Sequence, residues 1–340
     1  MNLAEISKKK FSKGERIIAP LLGFPAVKAA GTTIKLAQQN ADEHMKVIRR
    51  IRKLWAPDVI FSLMDLSVEA SALGRETVFP PFEAATVMNF DYERDRDLPM
   101  FRGINVLDDG RLRSYVETQR RMKEELPEKV LRGAYVTGPY TLAGLIVGAE
   151  KAAMQTATEA EDLHALISVC RDKIMDYTQA LIEAGAQLIA LLDPSAMMLG
   201  PDMFREFALA YAKPVVDLCH RHDAAFILHV CGDTEHLLKE MNASGADALS
   251  LDADVDFPKA ADVLDENMVL IGNLCPTGAI MSDPPETVEK ELSTLKRAMR
   301  HVPNYIVSTG CDLPIEVPEE NVTAFMKAAR RDTEDSSAGV

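Results

Sequence analysis

Short apolar runs alternate with longer amphipathic stretches along nearly the whole chain, and this alternation constrains the fold more than any other feature. It predicts strands over 59–64, 133–137, 188–192, 225–230, 248–251, 269–274 and 305–308. Between them the spacing predicts helices over 41–54, 111–126, 160–184, 201–222, 234–243 and 285–301. Within one of these, Leu163, Leu166, Ile167, Cys170 and Ile174 fall on a single helical stripe. Repeated strand–helix units demand parallel strands joined by right-handed crossovers. Seven strands are visible, and an eighth is expected in 17–22 or 103–106. The expected fold is therefore α/β, a (β/α)8 TIM-type barrel. An open doubly wound sheet is the alternative, but the glycine-rich dinucleotide fingerprint and the phosphate loop ending in Gly-Lys are both absent. One barrel domain is expected over residues 1–330, the first twenty serving as a lead-in and 331–340 forming a flexible tail.

The apolar runs of most predicted strands end in polar or reactive residues: Asp65, Asp193, His229 with Cys231, Asp252, Asn273 with Cys275, and Cys311. In a barrel the carboxyl ends of the strands converge on one face, where active sites are built. Core packing does not account for so many such endings.

Composition narrows the function further. The net charge of −14 opposes a nucleic-acid partner. No apolar run is long enough to span a bilayer, so no membrane association is expected and the cytoplasm is the expected location. The basic run Arg49-Arg50-Ile51-Arg52-Lys53 reads as the solvated face of a helix. Five cysteines, an odd number in a chain of this size, argue against a disulfide framework. Each is core filler, reactive thiol or metal ligand.

His229 and Cys231 sit two apart at the end of a strand, so both side chains point to the same side. Cys311 ends a later strand next to Gly310, and the barrel would bring it to the same face. Two thiolates and one imidazole suit zinc, with a fourth position open to substrate. Such a site is formally neutral. It is a weak Lewis acid toward water, yet it binds a thiol and deprotonates it, leaving the sulfur nucleophilic. The bland alternative is a satisfied interior histidine beside core cysteines, and the matching context of Cys311 weighs against that. Cys275 is a less favoured fourth ligand. Cys170 and Cys219 lie on helical stripes and are expected to be buried. Asp65 and Asp193 are the candidate catalytic carboxylates, either binding substrate or orienting a ligand; capping a helix is their ordinary role. Asp252, Glu69 and Glu150 are weaker candidates of the same kind.

The chain resembles the uroporphyrinogen decarboxylase superfamily over most of its length. The resemblance rests on Phe61-Ser62 with Asp65 to Gly74, Thr137-Gly138-Pro139-Tyr140-Thr141-Leu142, Gly185-Ala186 leading to Asp193, Pro201 to Phe207, Gly272-Asn273-Leu274, and Gly310-Cys311 with Val317 to Val322. It implies a (β/α)8 barrel. The decarboxylase branch carries an arginine-rich stretch near its amino terminus and a Gly-His-Gly segment near its carboxyl end. Here the first region, Leu22 to Gly31, has no arginine, and Cys311 stands in the second. His229, Cys231 and Cys311 are instead similar to the His-x-Cys…Cys motif of the methylcobamide:coenzyme M methyltransferases. That resemblance implies zinc bound by these three residues and an acceptor thiol such as coenzyme M. It also implies a methylcorrinoid co-substrate carried by a transiently docked corrinoid protein. Cys275 departs from the aspartate common there. Two rival functions are a decarboxylase dependent on Asp65 and a non-catalytic protein that holds zinc or a corrinoid partner.

Overall fold

Aliphatic and β-branched residues on both faces of a segment fit a parallel strand covered on each side, and that is what the apolar runs become. A computed structural model describes residues 1–88 and 90–331. Its strands are β1 (Val59–Phe61), β2 (Thr77–Val78), β3 (Thr86–Val87), β4 (Leu131–Thr137), β5 (Leu188–Leu192), β6 (Ala225–Val230), β7 (Ala248–Leu251), β8 (Val269–Leu274) and β9 (Tyr305–Thr309). β1 and β4 to β9 form one curled, wholly parallel sheet in that order. β2 and β3 make a small antiparallel hairpin in the excursion between β1 and β4.

The eighth position is filled by residues 17–19, not by 103–106. On one side Ala19 N–H donates to Val307 O, and Val307 N–H to Ile17 O, each at 2.9 Å. On the other, Asp58 N–H donates to Ile18 O at 2.9 Å, while Ile18 N–H is taken by the Asp58 side chain. The barrel thus closes through one bridge, Ile18 to Val307.

The pleat sorts the side chains. Leu188, Ala190, Leu192, Ala225, Ile227, Ala248, Val269, Ile271 and Ile306 fill the interior. Ile189, Leu191, Phe226, Leu228, Leu249 and Leu270 face the surrounding helices. His229 and Cys231 continue the inward row of Ala225 and Ile227.

The first twenty residues do more than lead in. Helix Leu3–Phe11, capped by Asn2, seals the amino-terminal end of the barrel. Leu3 is buried in the interior cluster, Ser7 donates to Pro303 O, and Lys8 and Lys10 reach Asn267 and Asp58. Of the predicted helices, 41–54 and 160–184 form as Ala41–Leu54 and Ala160–Ala184. The expected helix 201–222 is interrupted by a π turn at Phe204–Leu209, upstream of Pro214, which has no N–H to give to Ala210. Among the described residues no helix is long and apolar enough to cross a membrane. Apart from Arg331, the expected tail lies outside the described residues.

Candidate metal centre

The carboxyl ends of β6 and β9 deliver the three expected ligands to one point. His229 Nε2 lies 3.0 Å from Cys231 Sγ, the two sulfurs are 3.5 Å apart, and Cys311 Sγ is 3.8 Å from His229 Nε2. In a tetrahedron around one zinc, neighbouring sulfurs stand ~3.8 Å apart and nitrogen and sulfur ~3.6 Å apart. The three donor atoms therefore already outline one face of such a tetrahedron, and the residues fit the ion. Charge supports the fit. With no cation between them, the Cys231 sulfur and then burial push the Cys311 thiol well above its ordinary range. A dication reverses that balance and favours both thiolates.

The imidazole is held from behind. His229 Nδ1 lies 2.9 Å from Ser250 Oγ and 3.1 Å from Ser250 O on β7. A proton on Nδ1 donated to that carbonyl leaves Nε2 free as the ligand. Two glycines shape the loops that carry the sulfurs. Gly232, with φ +83°, turns the chain after Cys231, and its N–H donates to Asp252 Oδ2 at 2.9 Å. A Cβ at Gly310 would stand 2.6 Å from Ala253 N, so only glycine lets the loop bearing Cys311 press onto the loop after β7.

The expected carboxylates surround this centre without joining it. Asp65 is buried after β1. Its Oδ1 accepts from Ser67 N–H and hydroxyl at 2.9 and 2.7 Å, and its Oδ2 accepts from Arg111 and, at 3.4 Å, from Tyr115. Asp193 after β5 is also buried, and its Oδ1 accepts from Thr141 N–H and hydroxyl at 2.9 and 2.6 Å. Burial raises its pKa to about 6. Glu69 is pushed by burial to about 7 and binds Thr137 through both oxygens. Asp252 braces the Gly232 loop, whereas Glu150 is exposed on the helix after Gly148. Asn273 ties β8 to the loop after β7 through Asp252 O and Val255 O. Cys275 is outside the ligand cluster and approaches Thr277 instead. Cys170 and Cys219 are buried in helices, as expected.

Two contributors, Ser250 and Arg111, escaped sequence reading. Ser250 was signalled by a lone hydroxyl inside the buried run Ala-Leu-Ser-Leu. Arg111 left no local trace, since it sits in the first turn of an amphipathic helix.

The uroporphyrinogen decarboxylase family model matches residues 21–331. A methylcobamide:CoM methyltransferase MtbA of Methanosarcina mazei is 30% identical over 227 residues, covering 66% of this chain and 65% of that protein. The chain thus spans just under two thirds of that relative's length. A uroporphyrinogen decarboxylase of Prochlorococcus marinus is 28% identical over 222 residues, 63% of this chain and 62% of that one. Among solved structures, a methyltransferase from Methanosarcina mazei superposes with a TM-score of 0.82 at 21% identity, covering 97% of this chain and 98% of that one, a likeness of fold. With barrel, residue range and match in agreement, this chain belongs to the uroporphyrinogen decarboxylase family.

Proposed function

We propose that this protein is a zinc-dependent methyltransferase acting between a methylcorrinoid, presented by a partner corrinoid protein, and an acceptor thiol of the coenzyme M type. The observation that carries this reading is the triangle of His229 Nε2, Cys231 Sγ and Cys311 Sγ at the barrel mouth. Zinc held there by His229, Cys231 and Cys311 would supply an open position at which an acceptor thiol gives its proton to solvent while its sulfur stays electron-rich. The sulfur lone pair would then form the new S–C bond, the C–Co bonding pair leaving with the corrinoid substrate.

The chain's own residues prepare the site. Ser250 fixes the imidazole, Gly310 and Gly232 set the sulfurs, and Asp252 holds the Gly232 loop. Asp65 and Asp193 enter as positioning residues, through Arg111, Ser67 and Thr141. The rival decarboxylase reading centres on Asp65, whose oxygens already accept from Ser67 and Arg111.

The test is elemental analysis of anaerobically purified protein together with methylcobalamin demethylation by thiols. About one zinc per chain and thiol-dependent demethylation are expected, with Cys311→Ser losing both. A chain that refuses zinc after loading, or a serine variant that keeps zinc and turnover, overturns the reading.

A further inference from the structure

The triangle that fits a metal also sets two thiols within reach of each other. Cys231 and Cys311 are free and partly exposed, and their sulfurs stand 3.5 Å apart. A disulfide holds its sulfurs ~2.05 Å apart, so each must move by about 0.7 Å, the scale of a side-chain rotation of roughly 25°. Backbone does not wall in the loop that carries Cys231. Gly232 follows it at φ +83°, and the atoms nearest to where a Cβ there would stand belong to the flexible Met197 side chain, at 3.4 Å and beyond.

The other cysteines lack this arrangement. Cys170 and Cys219 are fully buried on helices, and burial pushes both thiols above their ordinary range. Cys275 is partly exposed, but it approaches Thr277 Oγ1 at 3.7 Å and stays outside the cluster. Oxidation of cysteine follows exposure and a partner in reach, and the pair 231 and 311 combines both.

We propose that Cys231 and Cys311 are a redox pair, which a peroxide converts in the metal-free chain to a disulfide that bridges the ends of β6 and β9 and shuts the site to metal. One sulfur attacks the peroxide O–O bond and becomes a sulfenic acid, and its proton leaves with the displaced hydroxide as water. The second thiol attacks the sulfenic sulfur, forms the S–S bond and releases a second water. The two sulfurs together lose two electrons, and the peroxide oxygens gain them. One imidazole then remains at the mouth, too few donors to hold zinc. A dithiol reductant restores both sulfurs. The pairing goes beyond the methyl-transfer reading, and the competition with zinc rests on it. The cross-link spans 80 positions and encloses β7 and β8, so oxidation should raise the urea midpoint of the metal-free chain.

The test uses the full chain, stripped of metal by a chelator under reductant, freed of both, and treated with a small excess of hydrogen peroxide. Intact mass should fall by two hydrogens, and peptide mapping should join 231 to 311. Two of the five thiols should disappear. Zinc uptake should drop at least about tenfold until dithiothreitol restores it. The zinc-loaded chain should lose thiols about tenfold more slowly, because the metal occupies the same sulfurs. Cys275→Ser should change none of this. Cross-links through Cys275, separate sulfenic or sulfinic acids at 231 and 311, or full zinc uptake by the cross-linked chain overturns the inference. A reduced chain that never takes up zinc yet forms the 231–311 disulfide sustains the redox pair and overturns the methyltransferase reading instead.

Discussion

The two ends of the barrel are built on opposite principles. At the amino-terminal end buried and half-buried cations are matched by partners. Helix Leu3–Phe11 fills the opening, Lys10 pairs with Asp58 at 2.7 Å, and Lys296 donates to the carbonyls of Ala328, Ala329 and Arg331. At the other end polar groups are buried at a cost. Asp193 and Glu69 are shifted upward by burial, Asp312 Oδ2 has no partner, and two sulfurs sit 3.5 Å apart. The same fold thus concentrates stability at one end and reactive groups at the other. Mutations at the base should cost folding free energy and leave chemistry alone. Those at the mouth should reach the metal first.

The largest effect is expected at the base. Leu3→Ala removes a side chain that is 1% exposed and should cost about 3 kcal/mol in urea unfolding. The folded fraction should bind zinc normally. Lost zinc affinity in that fraction would break the division between the ends. Gly310→Ala is next. Its Cβ would stand 2.6 Å from Ala253 N, so the Cys311 loop must move. Zinc affinity should fall by tens of fold, equivalent to about 2 kcal/mol, read by chelator competition. Ser250→Ala leaves the backbone carbonyl beside Nδ1 and removes the hydroxyl. About tenfold weaker zinc binding is expected, with an unchanged urea midpoint.

The smallest effect is on pH. Glu69 has a folded pKa of about 7 against 4.5 for the free side chain. Between those values the folded chain binds more protons than the unfolded one, so stability falls as pH rises through the window. Glu69→Gln should flatten that slope in urea melts at pH 5 and 7.5, at a cost of about 1 kcal/mol from altered bonding to Thr137. An unchanged slope would assign the pH dependence to other groups.

Sequence periodicity located the strands well where both faces are buried. β5 to β8 begin and end where their apolar runs do, because each run is bounded by glycine, proline or charge. It was ambiguous where tertiary pairing decides. Residues 17–19 lie in one of the two places expected for the eighth strand, but a single bridge leaves too short a run to choose between them, and the hairpin of β2 and β3, two residues on each side, left no periodic signal. Helix Leu3–Phe11 was obscured by Lys8, Lys9 and Lys10, whose amphipathic stems line the outer side of a buried plug. The convergence of the three donors was legible because strand parity links His229 to Cys231 and barrel topology brings in Cys311. Its surroundings were not. Asp65 and Arg111 meet across 46 positions, a pairing no local pattern encodes.

The single bridge from Ile18 to Val307 has a consequence for biosynthesis. The two strands that seal the barrel lie near opposite ends of the chain, 289 residues apart (307 − 18). At translation rates of ~5–20 residues per second, roughly 15–60 s separate their emergence from the ribosome. Throughout that interval the first strand has no partner on one flank, and a nascent chain holding His229 and Cys231 still lacks Cys311. The last donor of the triad arrives only four residues after the closing strand's pairing residue (311 − 307). Completion of the His229, Cys231 and Cys311 triad and ring closure are thereby made nearly simultaneous events, and a prematurely terminated chain carries neither a sealed barrel nor a complete triad.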